Sequence, residues 1–564
     1  MQWTHGMKWV AAGLTLGFVA LVSRLNADEP PRREASAGIV VSFVHPERQA
    51  AAVLRLFEGS RAAHPAAALV AWKQATRHPQ QLGKRLEAVI SFFNPDMVRE
   101  WAVLHEARLE LDLDATTAAP RFRMFVPRDD GTLTAIVTAL RLSGGSSEPP
   151  LESGKIAVER LGGPGSAVAT LMAPEVADQN RFGLVVASSR AELAGPARAP
   201  ADARFPPPSE SIDSGLVFHA EPERVSAPVT ASVTLRRVIQ LVHALGCRAI
   251  DGHFGLIEDR LEMEATSRLE PVHPLRQAGL GDCVIETRWL RYIPAEEALA
   301  LISIASGRGP AYWEGVFTLA DRVDRADPAR ANLAPLRSRV NLLATAAGAS
   351  LEGDLWPHLK GVTASVLAAL GDPGRPGRGV VILHMDTEAA ARQLFLQTLP
   401  RLTRIGTRFR ADEGPKHLPG DAPSAALDSS GSVSLGRPGG RPLETALRGQ
   451  DVVIGWGDQA LATALRSAQT PDRSVLPILT EIIAGPNRQS PARLGAFWPG
   501  RMRLPLTGLD GPTPLARSFA EGPPLVWAGW NLGTGALDRV HWPGLSGLVR
   551  RFLARIPLDL ARLP

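Results

Sequence analysis

The residue types best suited to chemistry lie in one short acidic stretch, DLDAT, which runs from Asp112 to Thr116. The stretch closes the segment RLELDLD (108–114), in which polar and apolar residues alternate strictly. Alternation predicts a β-strand with one face in water, so Asp112 and Asp114 should share that face. Paired carboxylates can supply a nucleophile, a general acid or ligands for Mg²⁺. The stretch is therefore a candidate hydrolase site.

The D-x-D-x-T spacing resembles the opening motif of haloacid-dehalogenase-type phosphatases. The resemblance implies one nucleophilic carboxylate and one general acid beside Mg²⁺. That chemistry also needs a downstream lysine and a later acidic pair, but lysines are scarce and Asp129-Asp130 follows too soon, in a turn. A strand whose acidic face is solvated explains Glu110, Asp112 and Asp114 together. We therefore predict no catalytic residue, and keep an extracytoplasmic, phosphatase-like hydrolase acting through Asp112 and Asp114 as the alternative.

Other catalytic and metal-binding patterns are missing from the sequence. The 13 histidines include no pair at the i, i+4 spacing of a helical metal site, and there is no HExxH, no phosphate-binding G-x-x-x-x-G-K-[ST] and no G-x-S-x-G. His273 and His541 each lie close to a proline, where a structural role is favoured. Trp527, Trp530 and Trp542 favour core packing or an interface over a ligand groove. We predict no metal and no cofactor.

The charge balance argues against a nucleic-acid partner. Lys and Arg number 62 against 57 Asp and Glu, which gives a net charge of +5. The arginines are scattered and regularly matched by acidic residues, whereas a nucleic-acid-binding protein concentrates its charge on one face. The two cysteines, Cys247 and Cys283, are too few for a disulfide framework or a metal site. They either pair in an oxidising compartment or remain as two buried thiols.

The N-terminus predicts export. Lys8 precedes an apolar run from Trp9 to Ser23, which is shorter than the roughly 20 residues of a spanning helix. We interpret residues 1–27 as a signal peptide or a short membrane anchor, and residues 28–37 as a flexible arm. In either case the body should lie outside the cytoplasm, in the periplasm or anchored to the membrane.

Three pairs of similar segments occur in the same order along the chain and suggest an internal duplication. His45-Pro46 and the residues after it match Ile293-Pro294, a spacing of 294 − 46 = 248. The pair GLVVASSRAEL and DVVIGWGDQAL is separated by 453 − 185 = 268, and the pair VHPL and VHWPGL by 543 − 274 = 269. The register thus slips once and then holds. We predict two tandem diverged repeats, residues 38–280 and 281–564.

Each repeat is predicted to be α+β, with a curved, mainly antiparallel sheet packed with helices, because strands occur in hairpins without steady alternation with helices. In the second repeat we expect a strand at Val284–Leu290 and a helix after Pro294. Helix N-caps are expected at Ser189, Asp386 and Asp458. Residues 411–441 are expected to be a low-complexity loop.

The second repeat resembles an uncharacterised bacterial family of exported proteins, domain of unknown function 3352. The resemblance covers mainly residues 283–560 and rests on four segments: Pro294–Glu296, DLWP before a strand, VVILHMDTEAA and DVVIGWGDQAL. It implies an envelope location and a fold, and no chemistry. We predict a non-enzymatic envelope protein that presents a binding or scaffolding surface to a protein, a lipid or a glycan.

Overall fold

The structure is a computed structural model. It describes residues 38–60, 62, 64–68, 70, 106–112, 121–127, 146–147, 155–160, 168–172, 182–187, 215–226, 233–277, 284–307, 309–326, 341–342, 344–345, 348, 350–367, 378–400, 432–434, 443–483, 489–498, 522–532 and 534–555. The chain divides into two compact units. The first contains the described residues of 1–243, 247–267 and 544–564, and the second those of 244–246 and 268–543.

Strands and helices alternate irregularly along the described chain. The strands are β1 (Ile39–Val44), β2 (Glu106–Asp112), β3 (Arg121–Pro127), β4 (Ser146–Ser147), β5 (Lys155–Arg160), β6 (Val168–Met172), β7 (Phe182–Ala187), β8 (Gly215–Ala220), β9 (Cys247–Ile257), β10 (Arg260–Leu269), β11 (Ala298–Ala305), β12 (Leu359–Leu367), β13 (Arg378–Met385), β14 (Ser432–Ser434), β15 (Leu443–Arg448), β16 (Asp451–Trp456), β17 (Arg493–Phe497), β18 (Leu525–Asn531) and β19 (Gly535–Trp542). The α-helices are α1 (Pro46–Arg55), α2 (Val233–Ala244), α3 (Pro274–Gln277), α4 (Pro310–Ala326), α5 (Glu388–Gln393), α6 (Ala460–Gln469), α7 (Leu476–Ile483) and α8 (Leu545–Arg555). Short 3₁₀ segments occupy Pro222–Arg224, Thr287–Tyr292 and Pro471–Arg473, and π segments occupy Leu351–Leu355 and Leu394–Thr398.

The first unit is built on a sheet with the strand order β4-β5-β6-β7-β3-β2-β1-β8-β9-β10. Helix α1 follows β1 and is fixed to the sheet by Gln49, whose side-chain amide exchanges two hydrogen bonds with the backbone of Leu256 in β9. The C-terminal helix α8 also belongs to this unit. Its Leu553 is fully buried against Ala62 and Ala68.

The second unit has a sheet with the strand order β14-β15-β16-β13-β12-β11-β17-β18-β19, and every neighbouring pair is antiparallel. One face, the inner face, is covered by α6, α7 and the 3₁₀ segment Thr287–Tyr292. The core there is dense because the strands alternate: Leu301 and Ala305 point inward on β11, and Val380 and Ile382 point inward on β13.

The α+β class with a large antiparallel sheet is confirmed, as are the strand at 39–44 and the helix that begins at Pro46. The predicted domain boundary at residue 280 differs from the observed division, since residue 268 already lies in the second unit and α8 lies in the first. The described residues contain no helix that is long and apolar enough to cross a membrane.

Two predicted elements in the second unit are wrong. The stretch predicted as a strand at Val284–Leu290 contains the start of the 3₁₀ segment Thr287–Tyr292. Pro294 is followed by a single turn and then by β11, not by a helix. The sequence ALALISIA has two apolar periods, and the period of two prevails because Leu301, Ser303 and Ala305 face inward while Ile302 and Ile304 face out.

Two predicted helix caps and part of the predicted loop also differ. Thr387 caps α5 by accepting a hydrogen bond from the Ala390 N–H, in place of Asp386. Helix α6 begins after Gln459 in the left-handed region, with no side-chain cap from Asp458. Within 411–441, residues 432–434 form β14, which pairs with β15. Ser189 lies outside the described residues.

Candidate functional site

The acidic stretch Asp112–Thr116 is described only at Asp112. Asp112 is the last residue of β2, and its cross-strand partner is Arg121. The register likewise places Glu110 opposite Arg123. Asp114 lies outside the described residues. The described positions therefore place each acid opposite an arginine, and opposite charges at such positions favour strand pairing.

The other residues singled out from the sequence occupy structural positions. His273 is buried: its Nε2–H donates to the Leu245 carbonyl and its Nδ1 accepts from the Leu275 N–H. Burial lowers the pKa of His273 below its ordinary value. Trp530 is buried and donates through Nε1 to the Gln489 carbonyl. Of the two cysteines, Cys247 lies in β9 and Cys283 falls outside the described residues, so neither a pair nor two thiols is distinguished.

A chain of polar side chains crosses the inner face of the second unit. His384 on β13 and Asp451 on β16 are cross-strand partners, and Nδ1 of the imidazole lies 2.8 Å from Asp451 Oδ1. On the other side of the ring, Nε2 lies 2.9 Å from the hydroxyl of Thr363 on β12. That hydroxyl lies 2.8 Å from the Ser303 hydroxyl on β11. We call these four residues the polar row.

The 3₁₀ segment Thr287–Tyr292 completes the surroundings of the polar row. The Tyr292 hydroxyl donates to Asp451 Oδ2 at 2.7 Å, and Arg291 donates to the Tyr292 oxygen at 2.9 Å. Trp289 stacks on the His384 ring, with centroids 4.3 Å apart and planes 6° apart. The indole fits because the residue below it is Gly361, where a Cβ atom would lie 2.5 Å from Trp289 Cη2.

Burial and hydrogen bonding set the charges of the polar row. Burial lowers the pKa of His384 and outweighs the contribution of Asp451, which acts in the opposite direction. Burial alone would raise the pKa of Asp451, but the hydrogen bonds that it accepts from His384 and Tyr292 hold the pKa below its ordinary value. Burial, followed by the charge of Asp451, raises the pKa of Tyr292. The resting state is therefore a neutral imidazole beside a carboxylate.

The order carboxylate–imidazole–hydroxyl is that of a serine-hydrolase triad, but the environment differs. Thr363, His384 and Ser303 are each 0% exposed. A nucleophile must meet its substrate, whereas these hydroxyls are enclosed between the sheet and the 3₁₀ segment. The arrangement fits a buried polar network that fixes strand register and packing. Among the described residues, no group of three or more His, Cys, Asp or Glu side chains is placed to hold a metal ion.

The opposite face of the same sheet, the outer face, exposes apolar side chains. Ile302 and Ile304 on β11 are 44% and 39% exposed, and Val366 on β12 is 44% exposed. Ala364, the cross-strand partner of Ile302, and Phe497, the cross-strand partner of Ala300, are half-buried and continue the surface. We call these five residues the apolar face.

One edge of the apolar face is closed by a tryptophan and an ion pair. Trp527 on β18 lies over its cross-strand partner Gly495, where a Cβ atom would lie 3.1 Å from the indole. The Trp527 Nε1–H donates to Asp538 Oδ1 at 3.1 Å, and Arg493 donates to the same oxygen at 3.2 Å. Arg493 also donates to the Asn531 side chain. The edge is therefore polar, and its charges are balanced.

Sequence reasoning missed both features. His384 and Asp451 are 67 residues apart, and only the pairing of β13 with β16 brings them together. The sequence did contain a signal for this pair: the apolar run VVILH ends in a histidine, and the apolar run DVVI begins with an aspartate. A polar residue at the end of a buried strand needs a hydrogen-bond partner. The apolar face was hidden because ALALISIA was interpreted as a helix.

Comparison with known proteins adds little. No family model matches the chain, and no curated protein matches it. Among solved structures, a chain from "Structure of crystal form I of TP0453" is similar over 45% of this chain and 78% of its own length, with 10% sequence identity and a TM-score of 0.22. A score of that size carries no argument about fold or function.

Proposed function

We propose that this chain is an exported, non-enzymatic envelope protein that binds a protein partner through the apolar face of its second unit. The observation that carries the proposal is the exposure of Ile302, Ile304 and Val366 side by side on two paired strands. Export rests on the sequence of residues 1–27, and the resemblance to domain of unknown function 3352 is part of the same proposal.

The size of the apolar face fits a transient interface. Five outward residues on three strands, each occupying about 4.8 Å across the sheet and about 6.7 Å along the strand, give roughly 160 Å². A stable dimer needs about 800 Å² from each partner, so the face alone is too small for a permanent pair. It suits a partner that associates and dissociates.

The composition of the face favours a protein over a lipid surface. Protein interfaces combine an apolar centre with tryptophan and arginine and a hydrogen-bonded polar rim. Trp527, Arg493 and Asp538 provide such a rim next to Ile302. Because Arg493 and Asp538 neutralise each other, the rim offers no net positive charge to an anionic membrane.

We also propose that the two units are diverged copies, and strand order supports this. Eight neighbouring strands of the first unit follow the order β6-β7-β3-β2-β1-β8-β9-β10, and eight of the second follow the order β15-β16-β13-β12-β11-β17-β18-β19. Strands at the same position in the two orders correspond, so that β1 matches β11 and β3 matches β13. Helices α1 and α4 then correspond, each beginning with a proline after the equivalent strand. The proposal therefore pairs Pro46 with Pro310 in place of Pro294, and the spacing of 310 − 46 = 264 removes most of the register slip.

The binding proposal is tested by placing a photo-crosslinking amino acid at position 302 of the full chain in intact cells. Position 272 is the matched control. Val272 is 63% exposed in the same unit, but it lies between β10 and α3, outside the strands that form the apolar face. We expect one protein to crosslink at 302 and not at 272. The purified partner should bind the Ile302→Asp variant at least about tenfold more weakly, which corresponds to about 1.4 kcal/mol, and the Val272→Asp variant equally well.

Three outcomes would overturn the proposal. Crosslinking of the chain to itself at 302 would show that the occupant is a second copy. Crosslinking to lipid or glycan alone would replace the protein partner with that ligand. Equal binding of the partner to Ile302→Asp and to the unmodified chain would move the interface elsewhere.

A further inference from the structure

Hydrogen-bond accounting in the polar row leaves one consistent arrangement of protons. The carboxylate of Asp451 can only accept, so His384 donates from Nδ1. Nε2 of a neutral imidazole must then accept, so the Thr363 hydroxyl donates to it. The Ser303 hydroxyl in turn donates to Thr363. Every donor in this arrangement has an acceptor.

A proton added to His384 reverses the row. Nε2 becomes a donor to the Thr363 oxygen, so the Thr363 and Ser303 hydroxyls have two protons but only one hydrogen bond between them. One of these protons then has no acceptor, because within the described part of the chain the Ser303 hydroxyl is hydrogen-bonded only to Thr363. A buried donor left unpaired is strongly unfavourable. Protonation therefore leaves an unpaired donor in the Thr363–Ser303 part of the row.

We propose that the polar row makes the second unit acid-sensitive, so that protonation of His384 releases the 3₁₀ segment Thr287–Tyr292 from the sheet. The segment is the part that responds because it contacts the row through two side chains. Trp289 stacks on the imidazole, and Tyr292 bonds to Asp451. The proposal concerns regulation of the fold and does not depend on the binding partner proposed above.

The charged groups around His384 divide into two sets. Asp451 and Glu286 favour a protonated ring, and Arg288 disfavours it. Arg291 and Tyr292 act on the far side of Asp451, where both donate toward the carboxylate. Burial is the largest influence and keeps the pKa of His384 below the ordinary value of 6.5. In the folded state, His384 therefore remains neutral at a pH at which an exposed histidine would already be protonated.

The sign of the pH effect follows from this lowered pKa. Between the unfolded pKa near 6.5 and the lower folded pKa, the open state binds one proton more than the closed state, so the closed state loses stability as pH falls. From about pH 7.5 to about pH 5.0, opening should become roughly 30-fold more favourable. Below about pH 5, the lowered pKa of Asp451 adds a loss of the same sign.

Hydrogen exchange of the full chain measures this opening directly. After correction for the intrinsic pH dependence of exchange, amides of residues 287–292 should exchange about 30-fold faster relative to that reference at about pH 5.0 than at about pH 7.5. His384→Gln keeps a donor and an acceptor but cannot titrate, and should reduce the ratio to below about threefold. His358→Gln is the control, since His358 pairs with Asp386 near the surface and should leave the 30-fold ratio unchanged.

An equal ratio in His384→Gln and the unmodified chain overturns the proposal. If that variant does not fold, nitrogen chemical shifts of the labelled histidines in the unmodified chain decide the matter. They should show His384 neutral, with its proton on Nδ1, at about pH 6, below the ordinary histidine pKa. A protonated His384 at that pH would remove the basis of the inference.

Discussion

Replacing Gly361 by alanine should destabilise the second unit far more than a one-methyl change normally does. The new Cβ would lie 2.5 Å from Trp289 Cη2 and 2.8 Å from the Ile304 carbonyl oxygen. Trp289 belongs to the 3₁₀ segment and is 1% exposed, so its ring cannot move away from Gly361 without leaving its stack on His384. The backbone oxygen belongs to the neighbouring strand and is equally fixed.

The expected cost combines two contributions. Overpacking a dense core costs about 1–3 kcal/mol, and loss of an aromatic stack costs about 0.5–1.5 kcal/mol. We therefore expect Gly361→Ala to lower the free energy of unfolding of the second unit by about 2–4 kcal/mol. Urea unfolding of the full chain, followed by tryptophan fluorescence and by hydrogen exchange of the second unit, measures the change.

Gly495→Ala is the matched control. Gly495 also lies in a strand beneath a tryptophan, but Trp527 covers it on the outer face, and the Cβ atom would be 3.1 Å from the ring. Because Trp527 is half-buried and can shift by a few tenths of an ångström, we expect a loss below about 1 kcal/mol. If Gly361→Ala is no more destabilising than Gly495→Ala, the account of Trp289 as a fixed wedge is wrong.

Three further changes test other parts of the argument. Tyr292→Phe removes a donor to Asp451 and should lower the free energy of unfolding by about 1.5–3 kcal/mol. The loss should be smaller in acid, where the carboxylate is protonated in the unfolded chain. A loss below about 0.5 kcal/mol would show that the hydroxyl is dispensable. Asp112→Asn should leave hydrolysis of model phosphoesters unchanged with or without Mg²⁺, whereas an Mg²⁺-dependent rate that disappears in the variant would establish the phosphatase alternative. A reporter that works only outside the cytoplasm should be active when fused after Pro564, and a reporter active only inside would contradict export.

The sequence was sufficient for elements whose local signals agree. IVVSFV followed by Pro46 predicts a strand and a helix, and both occur at the expected residues. It failed at ALALISIA, where helical and strand periods coexist and only the core on the inner face of β11 decides between them. The Val284–Leu290 stretch failed for a related reason: Trp289 and Leu290 are apolar because they cap the inner face, not because they belong to a strand.

The candidate sites lay further beyond sequence reasoning. The polar row forms only when four strands pair in a specific register. Its four residues, which are spread between Ser303 and Asp451 along the chain, share no local sequence pattern. The apolar face depends on knowing which part of the outer face is left open by α5, which packs against Val362, Leu383 and Ile454. Asp112, which has a recognisable local motif, falls opposite Arg121 in the register. Spacing along the chain was therefore a poor guide to spatial neighbours.

The assignment of α8 to the first unit has a consequence for biogenesis. Leu553, near the end of the chain, is one of the residues that seal Ala62 and Ala68 from water. A nascent chain can complete its second unit before its first, because the first unit includes α8, which follows the whole of the second unit in the sequence. Proteolytic removal of α8 should therefore destabilise the first unit and leave the second unit folded.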